Sequence, residues 1–141
     1  MKLDYRRSRG FTLIELLVAL VILGLLMSVV GPTVLKYVGG AKTDTARMQI
    51  ENISAALDNY YLETGRYPSQ SQGLEALIEE PSGVVGWNGP YMKKKVIPPD
   101  PWGAEYIYVF PGENGSFDLY SLGADGQVGG EKENADIVSW E

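Results

Sequence analysis

The sequence predicts an α+β protein: one long N-terminal α-helix, membrane-spanning in its first half, packed on a small C-terminal antiparallel β-sheet domain. Three observations predict it. Apolar residues crowd a run from Phe11 to Gly31 that holds a single charge, Glu15. A helical stripe of apolar residues then recurs as far as Tyr60. Beyond residue 64 the chain is rich in Gly, Pro and aromatics, with a β-branched and aromatic segment on each side of a turn.

Composition narrows the function classes. The 141 residues carry 12 Lys+Arg against 18 Asp+Glu, a net charge of −6. Nucleic-acid phosphates would repel such a chain. There is no Cys and no His. Their absence removes the thiol nucleophile, the imidazole base and the zinc or copper sites built from N or S ligands. Metals that prefer oxygen ligands, calcium and magnesium, remain reachable.

The first element is the apolar run. About 20 apolar residues span a bilayer as a helix, and Phe11–Gly31 reaches that length. Before it, Lys2, Arg6, Arg7 and Arg9 stand against Asp4, a net +3. The positive-inside rule keeps that end cytoplasmic and sends the rest across the membrane. A cleaved secretory signal has a shorter apolar core and a small-residue cleavage site after it, and neither is present here. A plain anchor explains the length and the flanking charge but not Glu15. A carboxylate in hydrocarbon costs on the order of 2.5–3.5 kcal/mol, so it calls for a partner.

The stem follows. Gly31-Pro32 is a point where a helix kinks or locally melts, because Pro removes one backbone hydrogen bond and crowds the preceding turn. Periodicity resumes beyond it, so the helix is expected to continue. Gly39-Gly40 is a second soft spot. Ala46, Ile50, Ile53, Leu57 and Tyr60 then form one stripe, while Thr43, Asp44, Arg47, Glu51 and Asp58 take other faces. Thr64-Gly65, with Pro68 beyond, is a stop signal. The expected helix runs from about residue 12 to 63, roughly 75–80 Å at 1.5 Å per residue. Its outer half packs on a small domain. Its inner half must pack on lipid or on copies of itself.

In the C-terminal part, Gln72–Ile78 reads as a short helix ended by Pro81. Lys93-Lys94-Lys95 reads as a solvated turn. Tyr106–Phe110 and Phe117–Leu122 read as a hairpin around Pro111–Gly115, and a last strand is expected near Ile137–Trp140. The segment after Leu122, GADGQVGGEKENADI, admits two readings. One is a flexible acidic Gly loop. The other is a cation loop, with carboxylates from Asp125 and Asp136 and turns at Gly126, Gly129 and Gly130 that let carbonyls face inward. Its spacing is not that of an EF-hand.

Two sets of residues carry a family resemblance. Gly10-Phe11-Thr12-Leu13-Ile14-Glu15 after a basic leader resembles the class III signal of type IV pilins and pseudopilins. Gly65-Arg66-Tyr67-Pro68, Gln72-Gly73-Leu74, Asp100-Pro101-Trp102-Gly103 and Leu119–Gly126 resemble, in order, the major pseudopilins of type II secretion systems. The absence of Cys agrees, since many true type IV pilins close a C-terminal loop with a disulfide.

The resemblance implies a pilin-like fold and a non-enzymatic, structural role: the repeating subunit of a periplasmic pseudopilus that drives export of folded proteins across the outer membrane. It implies cleavage between Gly10 and Phe11 by a prepilin peptidase, and methylation of the new N-terminal Phe11. Losing a +3 leader from a chain of −6 leaves −9 from Phe11 onward. The expected organisation is a leader over 1–10, a transmembrane and assembly helix over 11–31, a stem over 32–64 and a periplasmic α/β domain over 65–141. Assembly is expected to depend on Phe11, Glu15 and Pro32, with Glu15 pairing with the Phe11 amine of its own chain or of a neighbour. The expected partners are other copies of the chain, the prepilin peptidase, the inner-membrane assembly platform and minor pseudopilins. The expected location is the bacterial inner membrane, single-pass, with a periplasmic C-terminal domain.

The resemblance also implies a structural calcium ion in the acidic loop. Its ligands are expected to be the side chains of Asp125 and Asp136 and the carbonyls of Leu122 and Val128, with Glu131 and Glu133 as substitutes. Two rivals remain: a type IV or competence-type pilin, and a membrane-anchored periplasmic enzyme or binding module. For the enzyme, no compact carboxylate pair marks a catalytic pocket, and Asp100 and Glu105 could be nominated only arbitrarily.

Overall fold

The computed structural model describes residues 10–141; the leader charges Lys2, Asp4, Arg6, Arg7 and Arg9 lie outside the described residues. By packing, the chain divides into two units, Met1–Tyr37 and Val38–Glu141.

Helix α1 spans Leu13–Thr64, 52 residues, with Pro32 inside it. Neither Gly31-Pro32 nor Gly39-Gly40 ends it. Gly65, with φ +75°, closes it by donating its N–H to the Tyr61 carbonyl at 2.8 Å, a left-handed cap that glycine adopts without penalty. In the first unit the large apolar side chains between Phe11 and Tyr37 are exposed. The helix is long and apolar enough to cross a membrane.

In the second unit the expected stripe is the core. Ala46, Ile50, Ile53, Leu57 and Tyr60 of α1 are buried, joined by Ala56, which the stripe did not include. They pack with Leu74, Leu77, Tyr106, Tyr108, Leu119 and Ile137. The sheet has three antiparallel strands in the order β1-β2-β3: Ile107–Val109, Asp118–Ser121 and Ile137–Val138. Tyr108 faces Leu119 in register, and Ser121 faces Ile137. The outer edge of β1 is closed by one side chain. Gln70 donates its amide to the Tyr108 carbonyl at 2.9 Å and accepts the Phe110 N–H at 2.8 Å, as a neighbouring strand would.

One expectation needs correction. The short helix expected over Gln72–Ile78 is a single 3-10 turn, Leu74–Leu77. Four residues cannot offset the cost of nucleating an α-helix, and the tighter turn closes instead through Ile78 N–H to the Glu75 carbonyl at 2.9 Å. The lysines at 93–95 are exposed, as a solvated turn requires.

The turn between β1 and β2 is built on Asp118. Its buried carboxylate accepts the N–H groups of Glu113 and Asn114 and the Asn114 side-chain amide at 3.0–3.1 Å. Burial alone would raise its pKa. Those donors and the Gly115 amide outweigh burial and hold the carboxyl below its ordinary value.

Candidate functional site

Two places hold the candidate functional residues. The first is the start of α1. Gly10 stands in open space, and Phe11 is 90% exposed. Thr12 and Glu15 form a capping box. The Thr12 hydroxyl accepts the Glu15 N–H at 3.2 Å, and Glu15 Oε2 accepts the Thr12 N–H at 2.9 Å and its hydroxyl at 3.0 Å. Glu15 therefore has a partner that the sequence reading did not assign. The signal was present: Thr-x-x-Glu directly before an apolar helix. The amine of Phe11 exists only once the peptide bond after Gly10 is cut. Pro32 lacks an N–H, so the Ser28 carbonyl has no i+4 donor from it.

The second place is the acidic loop that leaves β2. Leu122 is half-buried and directly follows the strand. Asp125 is exposed, and its Oδ1 accepts the Gln127 N–H at 3.1 Å. Asp136 Oδ2 accepts the Gly129 N–H at 2.9 Å, which ties the two limbs of the loop together. Val128 is 87% exposed. Glu133 is turned away to α1: a Cβ on the buried Gly39 would overlap its carboxylate. Glu131 is exposed. The loop runs back against itself, with the Ala124 N–H on the Glu133 carbonyl at 2.8 Å.

One observation tests whether these residues fit a cation. Asp136 Oδ1 is buried and has no hydrogen-bond partner. A buried carboxylate oxygen without a donor is costly, and a hard cation would relieve it. Among the described residues no three acidic side chains converge on one point. A cation here would rest on two carboxylates, backbone carbonyls and water, the hard-oxygen set that suits calcium. The residues fit.

Asp100 and Glu105 do not form a catalytic pair. Asp100 is 4% exposed, and its carboxylate is spent on three donors: the N–H groups of Trp102 and Ala104, and the Ser121 hydroxyl. Glu105 is exposed. The sequence reading missed the pairing of Asp100 with Ser121, which lie 21 positions apart with no local signal to join them.

An apolar helix behind a Gly-Phe junction, feeding a small three-stranded domain with an acidic C-terminal loop, defines a pilin-like subunit. Comparison with known proteins places it more narrowly. A family model described as "Type II secretion system (T2SS), protein G" matches residues 33–140, and one described as "Prokaryotic N-terminal methylation motif" matches residues 5–31. The chain is similar to the type II secretion system core protein G of Pseudomonas aeruginosa, 49% identical over 96% of this chain and 97% of that protein. It is similar to the proteins of the same description in Vibrio cholerae, at 44% over 96% of this chain and 93% of that one, and in Escherichia coli, at 41% over 95% and 92%. Its fold is similar to the crystal structure of the major pseudopilin from the type 2 secretion system of enterohaemorrhagic Escherichia coli. The TM-score is 0.60 and the identity 31%, covering 71% of this chain and 87% of that one. The chain belongs to the type II secretion system protein G family, the major pseudopilins.

Proposed function

We propose that this chain is the repeating subunit of a periplasmic pseudopilus, assembled from the inner membrane by a type II secretion system, and that the filament pushes folded proteins across the outer membrane. The observation that carries this reading beyond family membership is the first unit. Its apolar side chains are exposed throughout, and water is not their place. Lipid covers them before assembly, and the helices of neighbouring copies cover them afterwards. The protein G match over 33–140 supports a pseudopilin over a type IV or competence-type pilin, because the methylation motif alone is shared by all of them.

A prepilin peptidase cuts after Gly10 and methylates Phe11. The cut chain then sits as a single-pass inner-membrane protein with its C-terminal domain in the periplasm, and its further partners are the assembly platform and minor pseudopilins. In the filament, Glu15 neutralises the amine of Phe11 on a neighbouring copy and so fixes the register between them. The work is mechanical, with no bond of a substrate broken.

Calcium in the acidic loop completes the subunit. The side chains of Asp125 and Asp136 and the carbonyls of Leu122 and Val128 hold it. The bound ion supplies positive charge to a segment, Leu122–Glu141, where only Lys132 opposes five acidic side chains.

The test is complementation. In a strain that lacks its own major pseudopilin but keeps the rest of a type II system, the chain should restore secretion. Cysteine pairs placed along the apolar helix should crosslink between copies. A chain that is inserted and cut but yields no crosslinked ladder and no secretion would refute the filament reading.

A further inference from the structure

Asp100 and Ser121 are buried polar residues, at 4% and 1% exposure, and Ser121 ends the strand that the acidic loop leaves. Asp100 closes a tight turn: its N–H donates to the Ala104 carbonyl at 2.8 Å, and Gly103 N–H donates to its carbonyl at 3.0 Å. Its Oδ1 accepts the N–H groups of Trp102 at 3.1 Å and Ala104 at 2.8 Å, and its Oδ2 accepts the Ser121 hydroxyl at 2.6 Å. A serine hydroxyl has one proton. With that proton committed to Asp100, Ser121 Oγ offers only lone pairs to its other side, and one of them accepts the Gly123 N–H at 3.2 Å.

The Gly123 N–H belongs to the same planar unit as the Leu122 carbonyl. A trans peptide directs its N–H and C=O in opposite senses, and the only cis bonds among the described residues are Gly89-Pro90 and Phe110-Pro111. Pinning the Gly123 N–H therefore sets the direction of the Leu122 carbonyl. The other side of Gly123 is held too. Its φ is +66°, and a Cβ there would lie 2.7 Å from the Glu133 carbonyl oxygen and 2.8 Å from that of Ala135. A side chain therefore has no room at position 123.

We propose that Asp100 and Ser121 are positioning residues for the acidic loop's cation: the carboxylate orients the serine hydroxyl, and the hydroxyl fixes the peptide whose Leu122 carbonyl serves as a ligand. This rests on the calcium reading above. A ligand carbonyl is useful in proportion to how little it must be reoriented on binding, so the chain from Asp100 to Gly123 acts on affinity. A merely structural brace acts on stability instead, with and without the ion alike.

The experiment uses the full chain purified in detergent, stripped with chelator and titrated with calcium chloride by calorimetry, with melting curves taken in calcium and in chelator. Ser121→Ala leaves the Gly123 N–H without its acceptor. Its calcium Kd should rise about 10–100-fold, the usual effect of removing a group that orients a metal ligand. Asp100→Asn keeps an acceptor for Trp102 and Ala104 but takes the acceptor away from the Ser121 hydroxyl. Its Kd should rise at the lower end of that range, and this variant decides the matter if Ser121→Ala does not fold. If the wild-type chain binds calcium and both folded variants bind it with unchanged Kd, while their melting curves fall equally in calcium and chelator, the positioning role is overturned and the calcium reading stands. If the wild-type chain takes up no calcium, both fall together.

Discussion

Thr12 and Glu15 hold each other at the start of α1: the threonine hydroxyl accepts the glutamate N–H, and one glutamate oxygen, Oε2, accepts both threonine donors. The reciprocal bonds leave Oε1 free of Thr12. Glu15 can therefore cap its own helix and still face an amine. The two roles separate by substitution. Glutamine retains the capping geometry but not the charge, whereas leucine retains neither. If charge pairing with the Phe11 amine sets the register, Glu15→Gln and Glu15→Leu should both insert in the membrane, both be cut after Gly10, and both fail to give crosslinks between adjacent copies. Filaments from Glu15→Gln at the wild-type yield would show that the cap alone suffices.

Processing is the second expectation. Gly10 stands in open space before the exposed Phe11, which leaves the bond between them accessible. The membrane-extracted protein should begin at N-methylated Phe11, and intact-mass measurement with N-terminal sequencing reads this directly. A protein that still begins at Met1, or is cut after Ser28, is not handled as a pilin.

What the sequence made legible was whatever is periodic or local. The stripe Ala46, Ile50, Ile53, Leu57, Tyr60 is a repeat of 3.6, and it is buried. The stop at Thr64-Gly65 and the β1–β2 hairpin are local turn chemistry and appear where expected. Less legible was anything joined through space. The Gln70 side chain closes the β1 edge from 38 and 40 positions away, and the Glu133 carboxylate lies on Gly39. No window of sequence contains both partners. Thr12-x-x-Glu15 is the exception: it is a local capping signal at the same residue whose charge calls for a partner in hydrocarbon.

Gly39 and Gly40 provide a matched pair for a third expectation. Both lie within α1, where Ala is worth about 1 kcal/mol over Gly. Nothing lies within 4 Å of a Cβ at Gly40, whereas a Cβ at Gly39 overlaps the Glu133 carboxylate. Gly40→Ala should raise the melting temperature by several degrees. Gly39→Ala should gain less, because it evicts Glu133, and hydrogen exchange in the acidic loop should quicken. Combining Gly39→Ala with Glu133→Ala should recover the gain seen at Gly40. Equal stabilisation at the two glycines with an undisturbed loop would mean the Glu133 contact contributes nothing.

Asp118 predicts how stability responds to acid. Its folded pKa is depressed, because backbone amides of the turn outweigh burial. Its contribution is therefore full above the unfolded value, about 3.9, and is lost as pH falls through the folded value. The melting temperature should fall below about pH 4, and Asp118→Asn should flatten that part of the curve. At neutral pH the same variant should lose on the order of 1–3 kcal/mol, the usual cost of leaving buried donors unpaired. An unchanged acid limb in Asp118→Asn would move the cause to other carboxylates.

The last expectation concerns the ion. Asp136 Oδ1 is buried without a donor, and the segment around it is strongly acidic. A cation that binds the folded form alone stabilises it by RT ln(1 + [L]/Kd), about 2.7 kcal/mol at a hundredfold excess over Kd. At 4–8 °C per kcal/mol for a domain near 100 residues, the melting temperature should rise by about 10–20 °C in calcium over chelator. Magnesium should do much less, because it demands tighter octahedral geometry and gives up its waters reluctantly. Asp125→Ala and Asp136→Asn should each remove most of the calcium shift. They differ in the chelated state. Asp136→Asn removes a carboxylate whose Oδ1 is buried without a donor, so without calcium it should melt no lower than the wild type. Asp125 is exposed, so its replacement should leave the chelated curve where it was. Superimposable wild-type curves in calcium and in chelator would mean that the loop closes without an ion and that Asp136 Oδ1 finds its relief in water.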